Sequence, residues 1–158
     1  MCEASPDYRI VAGGLERPDV IAMLHEHVAR ARSETAPGSA HALDLSALDA
    51  PDIRFWSLRR DGRLLSVGAL KRLDADHGEI KSMFTDEAAR GQGASAAMIG
   101  HIIAHARADG LSRLSLETGS WAYFARARAF YARHGFAPCG PFGTYAEDAN
   151  SVFLTLAL

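Results

Sequence analysis

Cysteine is nearly missing from this chain: Cys2 and Cys139 are the only two among 158 residues. Two are too few for a disulfide framework. Lysine is as scarce, with Lys71 and Lys81 alone, and arginine makes up the rest of the 17 basic residues. The formal net charge of −2 lacks the one-sided excess of a protein that coats nucleic acid or an anionic membrane. No apolar run approaches the ~18 residues of a membrane span. The opening "MCEASPDYRI" lacks the charged-then-apolar order of a secretory signal. These absences predict a cytoplasmic protein with neither a nucleic-acid nor a membrane partner. Linkers, repeats and low-complexity tracts are also missing, so residues 1–158 read as a single domain, long enough for a sizeable core.

What is present alternates between two periodicities. "YRIVA" reads as a short strand. "ERPDVIAMLHEHVARARSETA" carries helical spacing through Val20, Leu24 and Val28, with Pro18 in the first turn. A loop with one short helix follows over "PGSAHALDLSALDAPDI". "IRFWSLRR", the Asp61-Gly62 turn and "RLLSVGALKRL" make a hairpin. "EIKSMFT" is another strand, and "ASAAMIGHIIAHARADG" a helix closed by Gly110. "LSRLSLET" returns to strand, "WAYFARARAFYARHG" to helix, and "FAPCGPF" and "NSVFLTLAL" close the chain as strands around the loop "GTYAEDA". The order β-α-(α)-β-β-β-α-β-α-β-β predicts a mixed α/β chain of the α+β class, not a doubly wound parallel sheet.

The stretch "RGQGAS", Arg90 to Ser95, puts two glycines one residue apart just before a helix. Such a pair lets backbone amides approach an anion closely. A dinucleotide fold is one reading, since Gly91-x-Gly93-x-x-Ala96 fits its relaxed pattern and Glu117 lies about twenty residues on. Against it, "DEAAR" separates the glycines from the preceding strand, and too few βα units follow. A triphosphate loop requires Lys-Ser/Thr after its last glycine, and "GASAA" has neither in place.

"RGQGAS", the strand "EIKSMFT" before it, the helix after it and the helix-to-strand junction "FYARHGF" together resemble the Gcn5-related N-acetyltransferases, the GNAT superfamily. The resemblance covers nearly the whole chain. "HALDLSAL", "HGEIKSM", "LETGS" and "CGPFGTY…NSVF" look like one bacterial subgroup. It implies a central mixed sheet of about six to seven strands flanked by helices, and transfer of acetyl from acetyl-coenzyme A to the amine of a small molecule or peptide. A noncatalytic acyl-coenzyme A binding module is the alternative, and many relatives dimerise. Two positions depart from the pattern: Ser95 stands where the motif ends in Gly or Ala, and Phe124 where many relatives carry an Asn.

The resemblance assigns the coenzyme A pyrophosphate to Arg90, Gly91, Gln92, Gly93, Ala94 and Ser95, where a helix N-terminus adds its positive dipole end. The Ser95 hydroxyl is expected to cap the helix or bind phosphate. Backbone groups of Met83, Phe84 and Thr85 would hold the pantetheine where two parallel strands part, with Phe124 and Ala127 beside it. Tyr131 matches the family's proton donor to the thiolate. Glu79 matches a strand position where some relatives carry a glutamate base. Alternation puts Glu79, Lys81, Met83 and Thr85 on one face. Glu79 and Lys81, or Lys81 and Glu117, could instead be structural ion pairs. The acceptor is expected near His41, Asp44, Lys81, Glu117, Tyr145 and Asp148. Arg126 and Arg128 are candidates for the cofactor's 3′-phosphate or an acidic substrate. His101 and His105 have a metal pair's spacing but no third ligand, so no metal is expected. His25 and His27 receive no role.

Overall fold

A computed structural model describes residues 7–41 and 45–158. Seven strands form one sheet in the order β1-β2-β3-β4-β5-β7-β6. They are β1 (Arg9–Ala12), β2 (Ile53–Arg60), β3 (Arg63–Arg72), β4 (His77–Thr85), β5 (Arg113–Gly119), β6 (Ala137–Cys139) and β7 (Ser151–Ala157). Among the described residues the β4–β5 pair alone is parallel and every other pairing is antiparallel. The helices are α1 (Pro18–Ser33), α2 (Leu45–Leu48), α3 (Ala94–Ala108) and α4 (Ala125–Arg133). Element order and the mixed sheet agree with the sequence reading. The last helix starts later than expected, since Ala122–Phe124 form a 3₁₀ turn before α4. β4 starts earlier, at His77.

The sheet separates two apolar layers. Val20 and Leu24 of α1 and Leu48 of α2 pack with Phe55, Val67 and Phe84 on one face. Met98, Ile99, Ile102 and Ala106 of α3 pack with Leu58, Ile80, Leu114 and Leu116 on the other. Tyr131 and Ala127 of α4 join that second layer. Gly68 of β3 lets α3 settle close: a Cβ there would lie 3.0 Å from Met98 and Ile102 side-chain atoms.

One irregularity in β4 reverses the expected parity. Ser82 has φ of 54°, a left-handed conformation that non-glycine residues rarely adopt. Val67 of β3 pairs with Phe84 and Ala69 with Lys81, so β4 carries one extra residue between them. This bulge shifts the side-chain alternation by one. Ile80 and Met83 consequently lie on the α3 face, and Phe84 packs on the α1 face. Met83 does not share a face with Glu79 and Lys81, contrary to simple alternation.

Candidate active site

β4 and β5 pair over only three rungs, His77–Arg113, Gly78–Leu114 and Glu79–Ser115. Beyond them the strands part, and the opening is the floor of a cleft of about 550 Å³. Its walls come from α1 and the segment after it, the loop before α3, and the 3₁₀ turn and α4. The coenzyme A residues expected from the sequence converge here: Met83, Phe84, Thr85, Arg90, Gly91, Gly93, Ala94, Ser95, Phe124 and Ala127 all line the cleft.

The glycine loop fits an anion. Gly91 and Gly93 have φ of 79° and 88°, open to glycine and strained for other residues. Among the described residues no side chain caps the N-terminus of α3. Its first amides therefore remain available to a ligand, with the helix dipole behind them. The expected use of Ser95 is corrected. Its hydroxyl lies 2.6 Å from that of Thr85, which lies 3.0 Å from that of Ser66. This chain of hydroxyls ties the start of α3 to the sheet, so Ser95 offers the phosphates its backbone more than its side chain. Gln92 is also turned away: it accepts from Arg60 at 2.7 Å and donates to the Ala88 carbonyl at 3.3 Å. Its carbonyl accepts the Tyr8 hydroxyl. Arg126 lines the cleft. Arg128 instead donates to the carbonyls of Gly119 and Trp121, at 2.7 and 3.0 Å, and braces the entry to α4.

Phe124 takes its place by close packing. A Cβ on Gly119, the last residue of β5, would come within 2.0 Å of its ring. The missing side chain at Gly119 is what admits an aromatic ring at this position. Tyr131 lies deeper, 7% exposed, with Phe130 and Phe136 edge-on to its ring. Burial pushes its phenol well above the ordinary value, so it stays protonated and can donate.

The other end of the cleft holds three charged side chains from two strands. Glu79 accepts the Tyr145 hydroxyl at 2.6 Å and the Lys81 ammonium at 3.3 Å, both on Oε2. Lys81 also donates to the Tyr145 oxygen at 2.8 Å and the His41 carbonyl at 3.2 Å. The Glu79 and Lys81 side chains are 5% and 9% exposed. Of the two ion pairs weighed from the sequence, Glu79–Lys81 is formed. Among the described residues, Glu117 has no cationic partner within ion-pair distance. Burial is the main cause that raises its carboxyl to about 7, reinforced by the charges of Glu79 and Asp148; Ser151 and Lys81 pull it down.

His41 lines the cleft and meets the Tyr145 ring edge-on. Asp148 sits behind it, accepting Ser39 at 2.7 Å and the Asn150 amide at 2.8 Å, and so ties the β6–β7 loop to the segment after α1. Asp44 lies outside the described residues. His27, which the sequence left without a role, lines the cleft against Phe84, and burial lowers its pKa to about 4. Its spacing of four from Met23 and Ala31, both buried, was the available signal. His101 and His105 stand edge-on to Trp56, away from the cleft. Among the described residues no cluster of metal-ligating side chains occurs.

A model of the acetyltransferase (GNAT) family matches residues 21–136. The N-acetyltransferase YsnE of Bacillus subtilis, itself uncharacterized, is 45% identical over 139 residues, 88% of this chain and 92% of that protein. Among solved structures, a protein of Klebsiella pneumoniae assigned to the acyl-CoA N-acyltransferases superposes with a TM-score of 0.82. It shares 27% identity over 97% of this chain and 99% of the other. A GNAT acetyltransferase of Elizabethkingia anophelis with acetyl-CoA bound has a TM-score of 0.70 and 16% identity, covering 96% and 99%. That likeness concerns the fold alone.

Proposed function

The chain belongs to the GNAT acetyltransferase family and is an N-acetyltransferase; we propose that Glu117 accepts the proton of its amine substrate and Tyr131 supplies one to the leaving thiolate. Acetyl-coenzyme A supplies an activated acetyl thioester. The amides of Gly91, Gly93, Ala94 and Ser95 would hold its pyrophosphate with help from Arg90, and the unpaired edge of β4 at Met83–Thr85 would hold its pantetheine.

The amine arrives as an ammonium and must lose a proton before it can attack. Two carboxylates stand at the parting of the strands, and one observation separates them. Glu79 Oε2 already accepts from Lys81 and Tyr145, so that oxygen is engaged. Glu117 has no such ion pair and titrates at about 7, near the value that best serves a general base in neutral solution. Glu79 then holds Lys81 and Tyr145 in place beside the cleft. Tyr131 is a protonated donor kept from bulk water, suited to returning a proton to sulfur. Transfer is direct, from thioester to amine, with no residue acylated.

The test is an acceptor screen that detects free coenzyme A, run on wild type and Glu117→Gln. Wild-type kcat/KM should climb between about pH 6 and 8, as the carboxyl loses its proton and becomes able to accept one. The variant should lose this rise and about a hundredfold in rate, with unchanged acetyl-coenzyme A affinity. Stability gives a second reading. A carboxyl raised from 4.5 to about 7 weakens the fold as pH climbs through that interval, and no further above it. Glu117→Gln should therefore gain melting temperature relative to wild type from pH 4.5 to 7. A variant with normal turnover and an unaltered pH profile would remove Glu117 from the mechanism.

A further inference from the structure

We infer that the acceptor is a cation lacking a carboxylate, with a second ammonium beyond the one that reacts: a diamine or polyamine. This rests on the acetyltransferase reading and narrows it. The wall opposite the glycine loop offers places for cations and none for an anion. Lys81 is the sole lysine or arginine that β4, β5 and the segment from α1 to His41 contribute to the cleft among the described residues. An ammonium has three N–H donors, and those of Lys81 meet the His41 carbonyl, Glu79 and the Tyr145 oxygen. None is left for an incoming carboxylate.

The acceptor side is different. Both bonds to Glu79 end on Oε2, and no hydrogen bond from a described residue reaches Oε1. Glu117 forms no ion pair among the described residues, and Lys81, the cation that acts on it, is already bonded to Glu79. One ammonium at Glu117 and another toward Glu79 would complete both carboxylates. The arginines of the cleft, Arg90, Arg126 and Arg133, come from the glycine loop and α4, on the side that serves the phosphates.

The inference is tested with substrates matched in length: 1,4-diaminobutane, 1-aminobutane and 4-aminobutanoate, with the corresponding sets of three, five and six carbons. Release of coenzyme A gives kcat/KM, and melting of the coenzyme A complex with each compound gives binding without turnover. The diamine should exceed the amino acid of its length by at least about tenfold in kcat/KM, the monoamine falling between, since one charge-assisted contact is worth roughly that factor. It should also raise the melting temperature of the complex more. Amino acids that match or surpass their diamines, in either measurement, overturn the inference while leaving acetyl transfer intact. Should no amine in the set release coenzyme A, the melting series still decides: a diamine-selective shift upholds cation recognition, and its absence overturns it. Failure of acetyl-coenzyme A itself to bind would instead defeat the acetyltransferase reading.

Discussion

Residues 90–95 make one end of the cleft from a single run of chain, whereas the other end draws on side chains far apart in sequence. Lys81 reaches the His41 carbonyl across 40 positions and Tyr145 across 64, and Tyr145 reaches Glu79 across 66. The first end works through backbone amides whose direction follows from two glycine conformations and the start of a helix. The second works through charges whose state depends on what packs around them. A backbone cradle tolerates changes of side chain but not of φ. A charge network tolerates a shift of backbone but not the loss of one charge.

The largest effect should come from breaking the cradle at its backbone. Gly93 has φ of 88°, with only the Tyr8 hydroxyl oxygen near its missing Cβ, at 3.8 Å. Gly93→Val therefore introduces strain with almost no clash. A left-handed residue costs about 1–2 kcal/mol, more when β-branched, and the loop relieves it by leaving the conformation that presents its amides. Loss of charge-assisted amide contacts adds about 1.5–3 kcal/mol. Acetyl-coenzyme A affinity, measured by calorimetry, should fall about a hundredfold or more while the fold survives. Unchanged affinity would show that the amides do not hold the phosphates.

Glu79→Gln tests the other end. Removing its charge leaves Lys81 buried beside two neutral oxygens, and breaking such a pair costs about 3 kcal/mol or more. The melting temperature should drop by several degrees, with turnover per folded molecule falling less than in Glu117→Gln. The reverse pattern, full stability with the greater loss of turnover, would return the base to Glu79.

That reversal matters because it marks where sequence reading ran out. The family motif and the element order were legible, since each depends on local periodicity or on neighbours in the chain, and the parting of the parallel strands followed from the family resemblance. The pairing of Glu79 with Lys81 was visible as one of two options, both residues sharing a strand face. The bulge at Ser82 was not visible: nothing in "IKSMFT" announces a left-handed serine, and it moved Met83 to the opposite face. The Ser95 hydroxyl was read from the motif as a cap or phosphate ligand and Gln92 as part of the phosphate loop, yet tertiary partners hold both side chains elsewhere. Glu117 was placed at the acceptor, but its raised pKa comes chiefly from burial that only the folded cleft supplies.

Tyr131→Phe should act more modestly. It removes a hydroxyl and preserves the ring that packs on Phe130 and Phe136. Stability should barely change, while turnover falls by roughly tenfold or more, within the range of general-acid catalysis. The loss should appear in kcat with coenzyme A affinity intact. Normal turnover with a good acceptor would leave Tyr131 as a packing residue.

The smallest effect sharpens the comparison most. Gln92 sits between the two glycines of "RGQGAS", at the centre of the motif, and by position alone it should matter as much as they do. Its side chain, though, is held by Arg60 and by the Ala88 carbonyl and does not line the cleft. Gln92→Ala keeps the backbone and its amide and removes only exposed hydrogen bonds. Arg60 still has the Tyr8 ring, 5.7 Å from its guanidinium carbon. Exposed contacts of this kind are usually worth less than about 0.5 kcal/mol. Acetyl-coenzyme A affinity should therefore change by less than about twofold, and the melting temperature by little. A loss at Gln92→Ala as large as that at Gly93→Val would mean that the loop recognises phosphate through side chains. The contrast between a backbone cradle and a side-chain network would then fail at its first term.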